Sequence, residues 1–251
     1  MFADIGTYEA CGIFTKGHFI LMIITVVGII IALKYSFKKN KKEVHKIIVW
    51  ITIIMWGLEI LRISYNIKKN SIYDVNTYLP LYYCSILLYA GLLSSFGKGI
   101  LKKVGDVSLA AGTAVGGIVF LIYPSTSLPM YPAFHILSIH SFLYHGTMIY
   151  LGILINVTKY TELKKGDFKY FASLIGIMCV IALIVNSFTD GNLMFISNNF
   201  PNTPMEILYK LTNGGILYSL IMIVIQITIP FYITYYLIKL GDKIRKKLEK
   251  N

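Results

Sequence analysis

The sequence predicts an all-α polytopic membrane protein, a single seven-helix transmembrane bundle with its N-terminus outside and its C-terminus inside. Three observations carry that prediction. The composition is too apolar for a soluble domain, at 56% hydrophobic residues over 251 positions and a mean hydropathy of +0.66. Seven apolar runs, separated by charged or turn residues, approach the ~20 residues that an α-helix needs to cross ~30 Å of hydrocarbon. Lysine and arginine alternate between loops, and 19 of the 24 fall on one side.

The runs cover roughly residues 19–35, 47–66, 81–96, 107–123, 135–157, 170–188 and 216–238. The third is the shortest, and the first and fourth are next. Lys34, Lys38, Lys39, Lys41, Lys42 and Lys46 crowd the first connection. Lys98, Lys102 and Lys103 occupy the third, and Lys159, Lys164, Lys165 and Lys169 the fifth. The tail adds Lys239, Lys243, Arg245, Lys246, Lys247 and Lys250, against Lys16, Lys68, Lys69 and Lys210 on the other side, with Arg62 inside a span. The positive-inside rule then puts the tail in the cytoplasm and the N-terminus outside, which an odd number of spans requires. The formal charge of +12 is explained by this loop bias and by anionic lipid rather than by nucleic acid. Residues 1–16 carry Asp4 and Glu9 ahead of their only lysine, so the first run reads as a retained helix rather than a cleaved signal peptide.

The connection 189–215 is long and contains Gly191, Pro201 and Pro204. Within it, Thr203-Pro204-Met205-Glu206 has an N-cap threonine, a proline at the first helical position and a glutamate three residues after the cap. An interfacial helix is expected at about 204–213, ended by Gly214-Gly215. Gly112, Gly116 and Gly117 in the fourth span read as close helix packing. No internal repeat or second domain is visible, so 1–251 reads as one transmembrane domain.

Ionisable residues inside spans are costly and mark functional sites or structural pairs. Glu59 and Arg62 lie about 18 and 22 Å along the second span, on one face at i, i+3 spacing, as a structural ion pair or a headgroup site. On the fifth span His140 lies about 7 Å and His145 about 15 Å from its start, pointing about 140° apart. Each is either a packing histidine or a site residue. Cys84 lies about 4–5 Å inside the third span, at the level of Asn186 near the end of the sixth. A lone thiol in an apolar run is either a small hydrophobe or, with a base in reach, a nucleophile. The outer half therefore collects Glu59, Arg62, Cys84, His140, His145 and Asn186, and a polar cavity open on that side is expected, while the inner half reads as nearly bare. Cys11, Cys84 and Cys179 form no metal-binding or disulfide pattern, and no metal or cofactor is expected.

Leu79-Pro80-Leu81-Tyr82-Tyr83-Cys84 resembles the LPL-x-x-C entry to the third span in YwaF-like integral membrane proteins of bacteria, which look related to a human transmembrane acyltransferase. His145-Gly146 in the fifth span and the stretch from Asn186 through Gly191-Asn192-Leu193-Met194-Phe195 agree in order and placement. At Tyr83 the chain departs from the commoner form, which has a second polar residue or a histidine. The resemblance implies acyl transfer between phospholipids, with Cys84 as nucleophile and His145 as base; span depth favours His140 for that second role. Arg62 would then meet a phosphate, Glu59 would orient it, and Asn186 or Asn192 would hold the oxyanion. The rival expectation is a carrier or binding protein for a small polar solute or lipid using the same outer residues. Membrane lipids are the expected partners and the plasma membrane the expected location. The topology is tested with a C-terminal tag, which should resist protease added to intact cells and be cleaved once they are opened; cleavage in intact cells would overturn it.

Overall fold

A computed structural model describes residues 8–69 and 74–248; Asp4, Lys250 and the rest of the two termini lie outside the described residues. The chain is all-helical, and no strand occurs among the described residues. Among the described residues nine α-helices follow in order: α1 (Lys16–Ser36), α2 (Lys41–Lys69), α3 (Val75–Tyr78), α4 (Ile86–Phe96), α5 (Gly99–Ile122), α6 (Ile136–Val157), α7 (Phe168–Phe188), α8 (Pro204–Leu211) and α9 (Gly215–Leu248). Seven segments are long and apolar enough to cross a membrane, the third being the composite Val75–Phe96. Helix ends extend past the apolar runs because the flanking lysines, such as Lys102 and Lys103, still occupy helical turns.

The most buried helix is α5, which packs against α4, α6, α7 and α9. Small residues allow that closeness. A Cβ at Gly117 would stand 2.6 Å from the His145 carbonyl oxygen, and one at Gly152 would stand 2.7 Å from Ala114 Cβ. Gly112 and Gly116 leave room for the Tyr83 ring, whose hydroxyl donates to the Gly112 carbonyl at 3.2 Å. The glycine stripe is therefore a packing surface, as its spacing predicts. At the edge of the bundle, α1 packs on α6 and is pinned by His18, which accepts from the Phe14 N–H at Nδ1 and donates from Nε2 to the Leu121 carbonyl. Around the perimeter, residues such as Ile30, Trp50, Leu61, Val119, Ile177 and Leu237 are exposed, and this apolar belt suits lipid.

The third span is broken. Pro80 has no N–H to give and biases its predecessor out of the helical region, and Leu79 accordingly sits at φ −81°, ψ 116°. The chain runs extended to Tyr82, turns through a 3-10 segment at Tyr83–Ser85 and only then enters α4. With 11 residues, α4 is about 16 Å long, half a bilayer core.

The connection from α7 to α9 folds back into the bundle. Leu193, Met194 and Ile196 have no exposed surface. Gln226 lies about 16 Å along α9, and its amide donates to the Met194 carbonyl at 3.0 Å. Met194 and Phe195 both adopt left-handed backbone (φ 57° and 53°), a strain of order 1 kcal/mol each. Tethers offset it: Met194 N–H donates to the Leu81 carbonyl, Tyr218 to the Phe195 carbonyl and Ser219 to the Ile196 carbonyl. The short helix follows at Pro204, but its start differs from the expected capping box. Thr203 Oγ1 turns back to the Phe200 carbonyl, and Glu206 accepts from the Asn202 N–H at 2.7 Å and from Lys210 at 2.8 Å. Lys210 first, then that backbone N–H, hold the Glu206 carboxyl below the usual carboxylate range.

Gly117→Leu is expected to cost about 1–3 kcal/mol by overpacking, read as a lower unfolding midpoint in detergent. Gly28→Ala, where an added Cβ meets nothing within 4 Å, should not lower it.

Candidate functional site

The break in the third span exposes backbone carbonyls that α3 and α4 cannot satisfy, and side chains from other elements reach them. Thr77 C=O accepts from Arg62 at 2.8 Å and from the Asn66 amide at 2.7 Å. Pro80 C=O accepts from the Tyr89 hydroxyl at 2.9 Å. Leu81 C=O takes the Met194 N–H, and Cys84 C=O takes the Tyr144 hydroxyl at 3.2 Å. Asn76 joins the two irregular segments, its side-chain oxygen accepting from Tyr82 and from the Asn192 N–H, while the Tyr82 ring lies 4.9 Å from that of Phe195.

These contacts gather a polar cluster around Cys84. The thiol sits in the 3-10 turn at the head of α4, where the Ser85 N–H donates to the Tyr82 carbonyl at 2.9 Å, and a helix start is a favourable place for negative charge. Glu59, Arg62, Tyr82 and Tyr144 all lie within electrostatic reach of it. Glu59 and Arg62 form a bidentate pair, Arg62 Nε to Oε2 at 3.0 Å and a terminal nitrogen to Oε1 at 2.7 Å. With the bond to Thr77, three of the five guanidinium N–H groups are engaged and two remain on a side chain that is 21% exposed.

His140 and His145 part company. His140 Nε2 stands 4.0 Å from Glu59 Oε2 and its ring stacks at 5.9 Å on that of Tyr144, whose hydroxyl donates to the backbone carbonyl of Cys84. Its Nε2 is buried without a hydrogen-bond partner. His145 instead lies flat against Phe120 of α5, ring centroids 3.6 Å apart, with Nδ1 donating to the Ser141 carbonyl at 2.7 Å. It packs the α5–α6 crossing, beside Gly146, which faces Thr25 of α1.

The asparagines expected at an oxyanion are already committed. Asn186 donates to the Leu193 carbonyl and Ser197 and accepts from the Leu193 N–H. Asn192 accepts from the Ser197 and Asn198 N–H groups and donates to the Asn198 carbonyl. Both build the in-folded loop. Two shallow grooves lie away from the cluster, along the Tyr232 and Tyr236 face of α9 and beside Lys46 and Trp50 of α2.

The family model of the TMEM164 family matches residues 13–238. This chain belongs to the TMEM164 family. No curated protein and no solved structure matches it. The matched region contains every residue of the Cys84 cluster, so the broken span and its partners lie within the part of the chain that the family shares.

At the lysine-rich end the spans are not bare, contrary to the sequence expectation. Lys102 reaches Asp106 at 3.0 and 3.1 Å and the Tyr160 hydroxyl at 2.6 Å; Ser94 donates to Asp106 at 2.5 Å, and His45 Nδ1 meets Tyr160 at 3.1 Å. Lys103 pairs with Asp167 at 3.1 Å. Asp106 escaped the span-by-span reading because it falls at the margin of the fourth apolar run, where only its i, i+4 spacing from Lys102 signals a pair.

Arg62→Met should destabilise by about 3–5 kcal/mol, because it leaves Glu59 charged and unpaired in a site that is mostly shielded. Adding Glu59→Met should recover much of that loss in thermal unfolding. Additive losses in the double variant would show that the two residues act separately.

Proposed function

We propose that this chain transfers acyl groups between phospholipids at the outer leaflet of the plasma membrane, through a thioester on Cys84. The observation that carries the reading is the convergence of a helix-start thiol, an imidazole and a carboxylate–guanidinium pair around one break in a membrane span. The resemblance of Leu79-Pro80-Leu81-Tyr82-Tyr83-Cys84 to the YwaF-like entry, and through it to a human acyltransferase, supports the same chemistry.

In this reading His140 takes the thiol proton, breaking S–H and forming N–H. The Cys84 thiolate attacks the carbonyl carbon of a lipid ester, the ester C–O bond breaks, and the departing lysolipid oxygen takes the proton from His140. A second lysolipid hydroxyl then attacks the thioester with His140 again as base, and the thiol is restored. The two unengaged N–H groups of Arg62 suit the paired oxygens of a phosphodiester. Since Asn186 and Asn192 serve the loop, the Cys84 N–H at the helix start is the donor this reading assigns to a developing oxyanion. His140 is preferred to His145 because only His140 approaches Glu59.

The network of Lys102, Asp106, Tyr160 and His45 at the opposite end supports a second reading, a carrier for a small polar solute or lipid with that network as its inner closure. Cys84 separates the two. Membranes with Cys84→Ala should lose transfer of a labelled acyl chain between phospholipids by at least a hundredfold, and the wild type should trap a hydroxylamine-sensitive thioester at Cys84. Undiminished transfer in Cys84→Ala would sink the enzymatic reading; saturable solute uptake that survives Cys84→Ser would favour the carrier.

A further inference from the structure

The carboxylate of Glu59 stands between two bases and serves only one of them. Oε1 and Oε2 accept from Arg62 at 2.7 and 3.0 Å, while Oε2 is 4.0 Å from His140 Nε2, a buried nitrogen with no hydrogen-bond partner. A shift of about 1 Å by one carboxylate oxygen would turn that gap into a hydrogen bond. We infer that Glu59 is a positioning residue that changes partner: a phosphodiester arriving at Arg62 releases it towards His140, so that the thiol–imidazole pair is assembled only when a phosphate-bearing lipid is bound. This deepens the acyl-transfer reading and rests on it.

The charges at the cluster drive the exchange. Without substrate, one carboxylate and one guanidinium cancel in a region where charge is costly. Arg62 keeps two free N–H groups and a partly exposed edge, and Thr77 C=O and Glu59 fix the orientation of its plane. A phosphodiester on those two groups gives Arg62 two anions to serve, and the attraction on Glu59 is divided. The nearest alternative donor is His140, with Nε2–H towards Oε2. Proton transfer from the Cys84 thiol to the imidazole then leaves an imidazolium beside a carboxylate, and the thiolate remains at the start of α4. Only the thiol proton changes place: S–H breaks and N–H forms. A neutral glycolipid of the same acyl composition brings no anion, leaves Glu59 on Arg62 and leaves His140 without its partner. The substrate class selected is therefore glycerophospholipid over neutral glycerolipid, and the selection acts on the reactive thiol as well as on binding.

The experiment reads the thiol itself. The full-length protein is placed in nanodiscs of phosphatidylglycerol or of diglucosyldiacylglycerol with matched chains, and alkylation of Cys84 by N-ethylmaleimide is followed by peptide mass spectrometry, with Cys11 and Cys179 as internal references. The expected result is alkylation of Cys84 at least five times faster in the phospholipid. Glu59→Gln should bring the ratio to about one. His140→Gln should do the same while leaving the Glu59–Arg62 pair intact, which covers the case in which Glu59→Gln fails to fold. Equal wild-type rates in the two lipids, or a ratio that survives in His140→Gln, would overturn the inference. A lipid-dependent ratio without any thioester or acyl transfer would retain the partner exchange and sink the enzymatic reading, so the two fail separately.

Discussion

Pro80 interrupts a helix at a depth where water is scarce, and most of what is unusual in this molecule answers that interruption. A backbone carbonyl left bare in hydrocarbon costs several kcal/mol, so a broken span survives only if other groups reach its freed oxygens. Three such oxygens, those of Thr77, Pro80 and Leu81, receive donors from α2, α4 and the in-folded loop, and the Cys84 carbonyl takes the Tyr144 hydroxyl of α6 beside the Ile86 N–H. Each donor ties a separate element to one short segment. The loop pays for its entry with two left-handed residues, Met194 and Phe195, and is held there because the Met194 N–H and C=O are both used.

The same constraint explains why the candidate site lies where it does. An unbroken third span would put Cys84 inside a helix, its backbone satisfied by its own turn. The break instead makes it part of a helix start. Arg62 is first a cap for Thr77, and only the remainder of its guanidinium is free for a ligand. Tyr144 is first a donor to Cys84 C=O, and its ring then carries His140. Structural and proposed chemical roles are thus carried by the same side chains, and removal of any one is expected to disturb both.

The seven spans were legible in the sequence because bilayer thickness imposes one length on every helix, and the stripe Gly112, Gly116, Gly117 was legible because close crossings admit little else. Spacing also separated His140 from His145, since five residues turn a helix by about 140°. Which of them meets Glu59 was not legible: that depends on how α6 is rotated against α2 and α5, and a single span carries no record of its neighbours. The in-folded loop was hidden for a related reason. Gly191-Asn192-Leu193-Met194-Phe195 reads locally as connection, and the groups that draw it in, Leu81 C=O and Gln226, lie far away in sequence. Asn186 is buried and Asn192 half-buried, and residue type alone does not distinguish a donor to backbone from a donor to substrate.

Tyr83 shows how the surroundings of Cys84 constrain the chemistry. Where the commoner form of the resembled family has a polar residue or a histidine, this chain has an aromatic ring laid across Gly112 and Gly116, with its hydroxyl spent on the Gly112 carbonyl. The residue adjacent to the thiol therefore serves the α5 interface and offers it neither proton acceptor nor charge. Any activation of Cys84 has to come across the bundle, from α2 and α6. In the proposed reaction that requirement falls on Glu59 and His140, the one carboxylate–imidazole approach among the described residues near the break, and the proposal ties the thiol's reactivity to whatever occupies Arg62.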